Sequence, residues 1–183
     1  QSEFHELDHA LEARKLAPEN MLNMSPLDLK EVGVIHGISA KRLAGLLERF
    51  TELEETVDAW SKAGIWVLGE RDKQYPNRLR QRLSSARPPL LFGAGAIDCL
   101  DMGGVCIVGS RASGEPALQF SSALGKRCAL EKLTVISNDM RGVDREAVSA
   151  SLGSSGQAII IMSDRLEKAV LAKRYRDSLA NNQ

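Results

Sequence analysis

Gly109-Ser110-Arg111, at the end of a short apolar run, is the stretch of this 183-residue chain whose residue types best suit binding of an anion. The backbone N–H groups of a glycine turn and of the helix that follows point at one place, where they attract negative charge. The Arg111 guanidinium adds a permanent planar charge suited to phosphate, and Ser110 adds a hydroxyl. The pattern predicts a phosphate-binding turn, with Ser113 as the cap of the next helix.

His5-Glu6-Leu7-Asp8-His9 matches the H-E-x-x-H spacing, which places two histidines on one helix face where they can hold zinc. Only four residues precede it, so the strands that usually frame such a site have no room. His36 is the only other histidine, and the three cysteines lack the spacing of metal ligands. We therefore interpret the segment as the solvated face of a helix over 3–16 and expect no metal site.

The composition is that of an ordinary globular protein, with 43% hydrophobic and 26% charged residues. Aromatic residues make up 4%, which argues against a surface that stacks many bases. No apolar run is long enough to cross a bilayer, and no secretory signal is visible. We expect a cytoplasmic protein with reduced cysteines and no membrane partner.

The net charge is zero, but it is unevenly distributed. Residues 1–60 carry six basic and twelve acidic side chains, whereas residues 61–100 carry seven basic and three acidic ones. The last stretch, 165–183, is basic again, with five cations against two anions. The distribution suggests two modules with different surfaces, and it excludes a uniformly basic nucleic-acid binder while leaving a local basic groove open.

A small helical domain is predicted over residues 1–63. Ser25 and Ser39 are predicted helix caps, and Thr51-Glu52-Leu53-Glu54 fits a capping box that opens a further helix. The predicted turn at 34–39 resembles a helix-hairpin-helix, whose backbone N–H groups hold a DNA phosphate. Because its surroundings are acidic, a packing or partner-binding role is favoured over DNA contact.

Residues 64–100 are predicted to form a basic connector with one short strand at 65–68. Six cations cluster between residues 71 and 89, around the pair Tyr75-Pro76. Such a segment is usually a solvated surface, or it forms one wall of a groove that follows a phosphate backbone.

From residue 101 to the end, strands and helices alternate, which favours a parallel sheet built from βαβ units. An Asp164-Arg165-Leu166-Glu167 capping box is predicted to open one basic helix to about residue 179. Three parallel strands make a thin sheet, so we expect either further strands beyond this chain or another subunit at the open edge. The predicted strands are 105–108, 133–136 and 158–162, with one helix at roughly 114–130 and another that follows the loop Ser137–Asp144 and runs to Leu152.

Five segments follow one another in a distinctive order and spacing: Gly64-Ile65 with its strand, Tyr75-Pro76-Asn77-Arg78-Leu79, Arg87-Pro88-Pro89-Leu90-Leu91-Phe92, Val105–Ser113 and Ser137–Asp144. In these segments the sequence resembles the DprA/Smf family of DNA-processing proteins, over about residues 20–179. The resemblance implies an α/β fold: a Rossmann-like parallel sheet with flanking helices (residues 101–183), preceded by a small all-helical domain of helix-hairpin-helix or SAM-like type.

The resemblance implies a function of binding single-stranded DNA without sequence preference. It further implies a homodimer that protects incoming DNA in natural transformation and helps to load a RecA-type recombinase. It implies no catalytic residues, so we expect neither an enzyme nor a cofactor. The loops that bind the phosphates lie at the carboxyl ends of neighbouring strands, where parallel sheets bind ligands. The implied DNA- or phosphate-binding residues are Gly109, Ser110, Arg111, Ser137, Arg141, Gly142 and Asp144.

The sequence departs from the family pattern at Asn138-Asp139-Met140, where small residues are usual. Bulk there limits the approach of a phosphate, and Asp139 would repel it if the carboxylate points inward. This departure motivates a second hypothesis, a binding site for a nucleotide or nucleotide-derived signal, as in sensors linked to phage defence. A third hypothesis is a scaffold in which Arg111 pairs with Asp139 or Asp144.

The cations predicted to extend a DNA track are Arg78, Arg80 and Arg82, or Lys173, Arg174 and Arg176.

Overall fold

The computed structural model describes residues 2–34, 39–163 and 166–180. The chain divides into two compact units, residues 1–60 with 85–89, and residues 61–84 with 90–183. Across the described residues, no helix combines the length and apolar character that a bilayer crossing needs.

The first unit is helical. Ser25 caps its second helix reciprocally: its hydroxyl accepts the Asp28 N–H at 3.2 Å, and the Asp28 carboxylate accepts the Ser25 N–H at 3.1 Å. The Ser25 hydroxyl also donates to the Asp28 carboxylate at 2.7 Å, and this hydrogen bond, together with that of the Ser25 N–H, lowers the pKa of Asp28. Ser39 accepts the Arg42 N–H at 3.2 Å, so both predicted caps are confirmed. The helices are α1 (Ser2–Ala13), a 3-10 turn (Pro18–Asn23), α2 (Pro26–Val34), α3 (Ala40–Leu47) and α4 (Phe50–Lys62).

One side of each of the first three helices is buried. α1 contacts α2, and α2 contacts α3. The capping box predicted at Thr51 is wrong, because α4 begins one residue earlier and Thr51 lies in its first turn. Residues 35–38 of the predicted hairpin lie outside the described residues. The buried apolar residues are Ala10, Leu11, Leu29, Val32 and Leu43.

The second unit begins with an antiparallel hairpin that the sequence analysis found only in part. β1 (Ile65–Gly69) pairs with β2 (Leu90–Ala94), with Ile65 opposite Ala94. Helix α5 (Asn77–Leu83) and a 3-10 turn (Ser84–Ala86) lie between the strands in sequence. The predicted basic connector is therefore more regular than expected, since only its first strand was anticipated.

The three predicted parallel strands are present and adjacent, in the order β3-β4-β5, so the predicted α/β class is confirmed. They are shorter than predicted, because Val108 and Ile161 prolong the apolar runs past the paired region and are 65% and 64% exposed. The elements are α6 (Cys99–Met102), β3 (Val105–Cys106), α7 (Glu115–Leu130), β4 (Val135–Ser137), α8 (Val143–Leu152), β5 (Ala158–Ile160), α9 (Leu166–Leu171) and α10 (Lys173–Ala180).

Helices α7 and α8 pack on one face of this sheet and on each other. The single helix predicted after β5 is two helices that meet at Ala172, and Asp164 of the predicted capping box lies outside the described residues. α9 contacts both strands of the hairpin. The buried core of the sheet consists of Ile107, Cys128, Val135, Ala147 and Val148.

Candidate functional site

Two loops meet at the carboxyl edge of the parallel sheet, the side on which its strands end. The first loop, residues 108–114, follows β3, and the second loop, residues 138–142, follows β4. A Cβ atom at Gly142 would lie 2.2 Å from the Ser110 carbonyl oxygen and 3.0 Å from the Arg111 Cα. Gly142 also has a φ of +99°, so only glycine fits this contact without strain. The sequence correctly placed the two loops side by side.

The junction of the loops presents hydrogen-bond donors. In the described part of the chain, the backbone N–H groups of Ser110, Arg111, Arg141 and Gly142 donate to no protein acceptor. The Arg111 and Arg141 side chains are exposed, and the described residues offer neither of them an ion pair. Unpaired N–H groups beside exposed guanidinium groups form a surface that favours a polyanion.

Gly109 and Asp144 form a hydrogen bond with each other, so these groups do not face a ligand. The Gly109 N–H donates to Asp144 Oδ1 at 2.7 Å, and Asp144 is 2% exposed. A Cβ at Gly109 would lie 2.7 Å from the Val143 Cβ. These two predicted binding residues therefore hold the first loop against the start of α8, and the Gly109 N–H is not free for phosphate.

Ser137 is likewise buried, at 2% exposure, and its hydroxyl donates to the Ile107 carbonyl at 2.7 Å. It ties the ends of β3 and β4 together. Ser113 does not cap α7, as the sequence predicted; Gly114 is the N-cap, and the Ser113 hydroxyl donates to the Ser110 carbonyl at 3.1 Å. Ser137 therefore joins two strand ends, and Ser113 shapes the first loop from within.

Sequence reasoning missed Ser121 of α7. Its buried hydroxyl donates to the Val143 carbonyl at 2.6 Å, which positions the first residue of α8. One turn later, a Cβ at Gly125 would lie 2.3 Å from the Ala147 carbonyl oxygen, so α7 and α8 approach closely. The signal was available in the sequence, since small residues four apart on one helix face allow such an approach.

Asp139 of the second loop has its own partners. The Tyr175 hydroxyl of α10 donates to its carboxylate, and Arg145 Nε lies 4.0 Å from its Oδ1. The pairing of Arg111 with Asp139 or Asp144 that the scaffold hypothesis required is not found among the described residues. Asp139 is 7% exposed, so the carboxylate does not project freely from the loop.

The two predicted sets of extending cations lie in different places. A Cβ at Gly103, two residues before β3, would lie 2.5 Å from a guanidinium nitrogen of Arg78. The Arg78 N–H donates to Asp101 Oδ1 at 3.0 Å, which lowers the pKa of Asp101. Helix α5 therefore contacts the amino edge of the sheet, where β3 begins, away from the two loops.

Arg80 of α5 is engaged as well: its Nη2 donates to the Asp72 carbonyl at 2.6 Å, and its guanidinium lies 5.4 Å from the centre of the Tyr75 ring. Lys173 and Arg176 belong to α10, which Tyr175 joins to the second loop. The Arg174 side chain lies outside the description.

The H-E-x-x-H segment lies on α1. The His9 side chain is 82% exposed, and its Nδ1 is 3.8 Å from Glu12 Oε2. The His5 side chain and His36 lie outside the description. Over 2–34, 39–163 and 166–180, no group of three His, Cys, Asp or Glu side chains is arranged to hold a metal ion.

Comparison with known proteins adds two findings. The family model described as DNA recombination-mediator protein A matches residues 66–180. The X-ray structure of DNA processing protein A (DprA) from Streptococcus pneumoniae is similar in fold, with a TM-score of 0.57 and 22% identity. The match covers 96% of this chain and 62% of that one, so this chain spans less than two thirds of the length of the solved structure. The curated proteins contain no match.

Proposed function

Because this chain belongs to the family of DNA recombination-mediator protein A, as its sequence predicted, we propose that its first and second loops bind the phosphate backbone of single-stranded DNA. The family name connects the chain with DNA processing in recombination. One observation carries the proposal: where Gly142 meets Ser110 and Arg111 at the carboxyl edge, four backbone N–H groups have no acceptor among the described residues, and the Arg111 and Arg141 side chains are exposed.

The chemistry of these donors explains binding without sequence preference. Backbone N–H groups and guanidinium groups contact phosphate oxygens, which every nucleotide carries, and they do not read base edges. No bond-breaking step is needed, so the proposal is a binding role and not catalysis. A homodimer, a RecA-type recombinase as partner and a cytoplasmic location accompany it as expectations from the family resemblance.

The shape of the edge favours a strand over a free nucleotide. Small-molecule sites are concave and enclose most of their ligand. Gly109, Ser110 and Arg111 are exposed, and so are Asn138 and Arg141 of the second loop. An open edge encloses little of a mononucleotide, whereas a polymer gains affinity because its successive phosphates contact several donors.

A salt titration tests the proposal. Fluorescence anisotropy of a labelled oligonucleotide of about 20 nucleotides is measured with the full chain at several salt concentrations. Each phosphate neutralised in a single strand contributes about −0.7 to the slope of log affinity against log salt. We expect Arg111→Ala to weaken binding about tenfold for all base sequences and to reduce the magnitude of the slope by about 0.7.

Arg127→Ala is the matched control, because Arg127 is also an exposed arginine of this unit but pairs with Glu131 on α7. It should leave both affinity and slope unchanged. Absence of binding at low salt, or equal effects of the two substitutions, would overturn the proposal. Saturable stabilisation by a mononucleotide with no oligonucleotide binding would favour the nucleotide-sensor hypothesis instead.

A further inference from the structure

Asp139 is a buried acidic residue in a loop to which we assign phosphate binding. Its φ of +53° lies in the left-handed region, which residues other than glycine, asparagine and aspartate seldom adopt. Within the loop, the side-chain oxygen of Asn138 (Oδ1) accepts the Met140 N–H at 3.2 Å, and this hydrogen bond shapes the turn. A buried carboxylate also needs partners from outside its own turn.

Those partners come from two helices. The Arg145 guanidinium of α8 lies near both the Asp139 carboxylate and, at 3.5 Å, the Asp139 carbonyl. The Tyr175 hydroxyl of α10, 36 residues further along the chain, donates to the carboxylate. The hydrogen bond from Tyr175 joins the second loop to α10.

We propose that Tyr175 is a positioning residue of the phosphate-binding edge, and that it acts through Asp139. Its hydroxyl keeps the carboxylate turned into the protein, away from the N–H groups of Arg141 and Gly142. It also fixes the second loop in the shape in which Gly142 contacts Ser110. This inference rests on the proposed function in one respect only, that the edge binds phosphate.

The physical reason is charge placement. A carboxylate released from Tyr175 would lie within two residues of Arg141 on the same short loop. It would then repel a phosphate and compete for the free N–H groups, although Arg145 would still offset part of its charge. The same hydrogen bond keeps α10, with Lys173, next to the second loop.

Hydrogen exchange of the full chain without DNA tests the positioning role by itself. We expect Tyr175→Phe to raise the exchange rate of the hydrogen-bonded amides at this junction, those of Met140, Val143 and Arg145, several-fold, because the loop loses its tie to α10. Ser178→Ala removes another hydroxyl from the same helix and should leave these rates unchanged. Unchanged exchange in Tyr175→Phe would overturn the inference, whatever the result with DNA.

Oligonucleotide affinity then tests the role of Asp139. Tyr175→Phe should weaken binding about three- to tenfold. Adding Asp139→Asn should restore most of the affinity, because the released group no longer carries charge. If the double variant binds as weakly as Tyr175→Phe, the tyrosine acts on DNA by another route and the inference is wrong. If the unaltered protein binds no oligonucleotide, the proposed function fails while the exchange result still decides the positioning role.

Discussion

The two edges of the parallel sheet both carry arginine, but they use it differently. At the amino edge, Arg78 lies against Gly103 and its N–H donates to Asp101, and the nearby Arg80 is held by the Asp72 carbonyl. At the carboxyl edge, Arg111 and Arg141 are exposed and, among the described residues, form no ion pair. The amino edge contains the denser run of basic residues, yet the Arg80 guanidinium already donates to a protein acceptor and the Arg78 guanidinium lies against Gly103.

The fold therefore decides which basic residues are available to bind a ligand. A guanidinium that already interacts with protein acceptors gains little from a phosphate, because it must first give up those contacts. An exposed guanidinium beside free N–H groups gives up only water. Gly103 precedes β3 and Gly109 follows it, so the two edges lie at opposite ends of the strands.

The strongest way to break the carboxyl edge is Gly142→Ala. The added Cβ would lie 2.2 Å from the Ser110 carbonyl oxygen at a φ of +99°, so the loops must separate. We expect oligonucleotide affinity to fall at least tenfold and stability to fall by about 1–3 kcal/mol. Anisotropy and thermal unfolding measure the two effects.

Gly114→Ala is its control at the same edge, since the nearest atom to the added Cβ is Pro116 Cδ at 3.8 Å and the φ is not positive. It should change affinity less than about twofold. If Gly114→Ala and Gly142→Ala have equal effects on binding, the contact between the loops is not what organises the edge.

A pair of charge removals sharpens the comparison between the edges. Lys173→Gln, on the helix that contacts the second loop, should weaken oligonucleotide binding about two- to threefold and reduce the salt slope. Arg82→Gln, on α5 near the amino edge, should do neither. Both side chains are exposed, so the two variants should match in melting temperature. A larger effect of Arg82→Gln would reverse the assignment of the two edges.

The overall architecture was predictable because the signals that define it are local. Alternating apolar runs and helix-start signals indicate βαβ units, and caps such as Ser25 and Ser39 are visible in a few residues. The position of the two loops followed from the rule that parallel strands end at one edge. These inferences needed no knowledge of which residues touch.

Contacts between distant segments were not predictable in the same way. Asp139 and Tyr175 are 36 residues apart, and no periodic pattern connects them. The segment 64–100 was interpreted as a basic connector with one strand, so α5 within its basic run and β2 after that run were missed. The sequence assigned Ser137, Gly109 and Asp144 to the two loops, but only the structure revealed that their polar groups bond to each other or to backbone.

The smallest expected effect concerns the amino edge alone. The pKa of Asp101 is lowered chiefly by the hydrogen bond from the Arg78 N–H, so its ionised form is favoured by folding. That contribution is present above the usual carboxylate pKa of about 3.9 and is lost as pH falls through the lower folded value. Asp101→Asn should lower the melting temperature near pH 7 by less than about 3 °C, and the difference should shrink below about pH 4. A change in oligonucleotide affinity in this variant would contradict the division of roles between the edges.

Amide chemical-shift mapping by NMR shows at which edge of the sheet the phosphate binds. The isotope-labelled full chain is titrated with an unlabelled single-stranded oligonucleotide. We expect the largest shifts at the amides of Ser110, Arg111, Arg141 and Gly142. Largest shifts at residues 77–83 of α5, with those four amides unmoved, would contradict binding at the carboxyl edge.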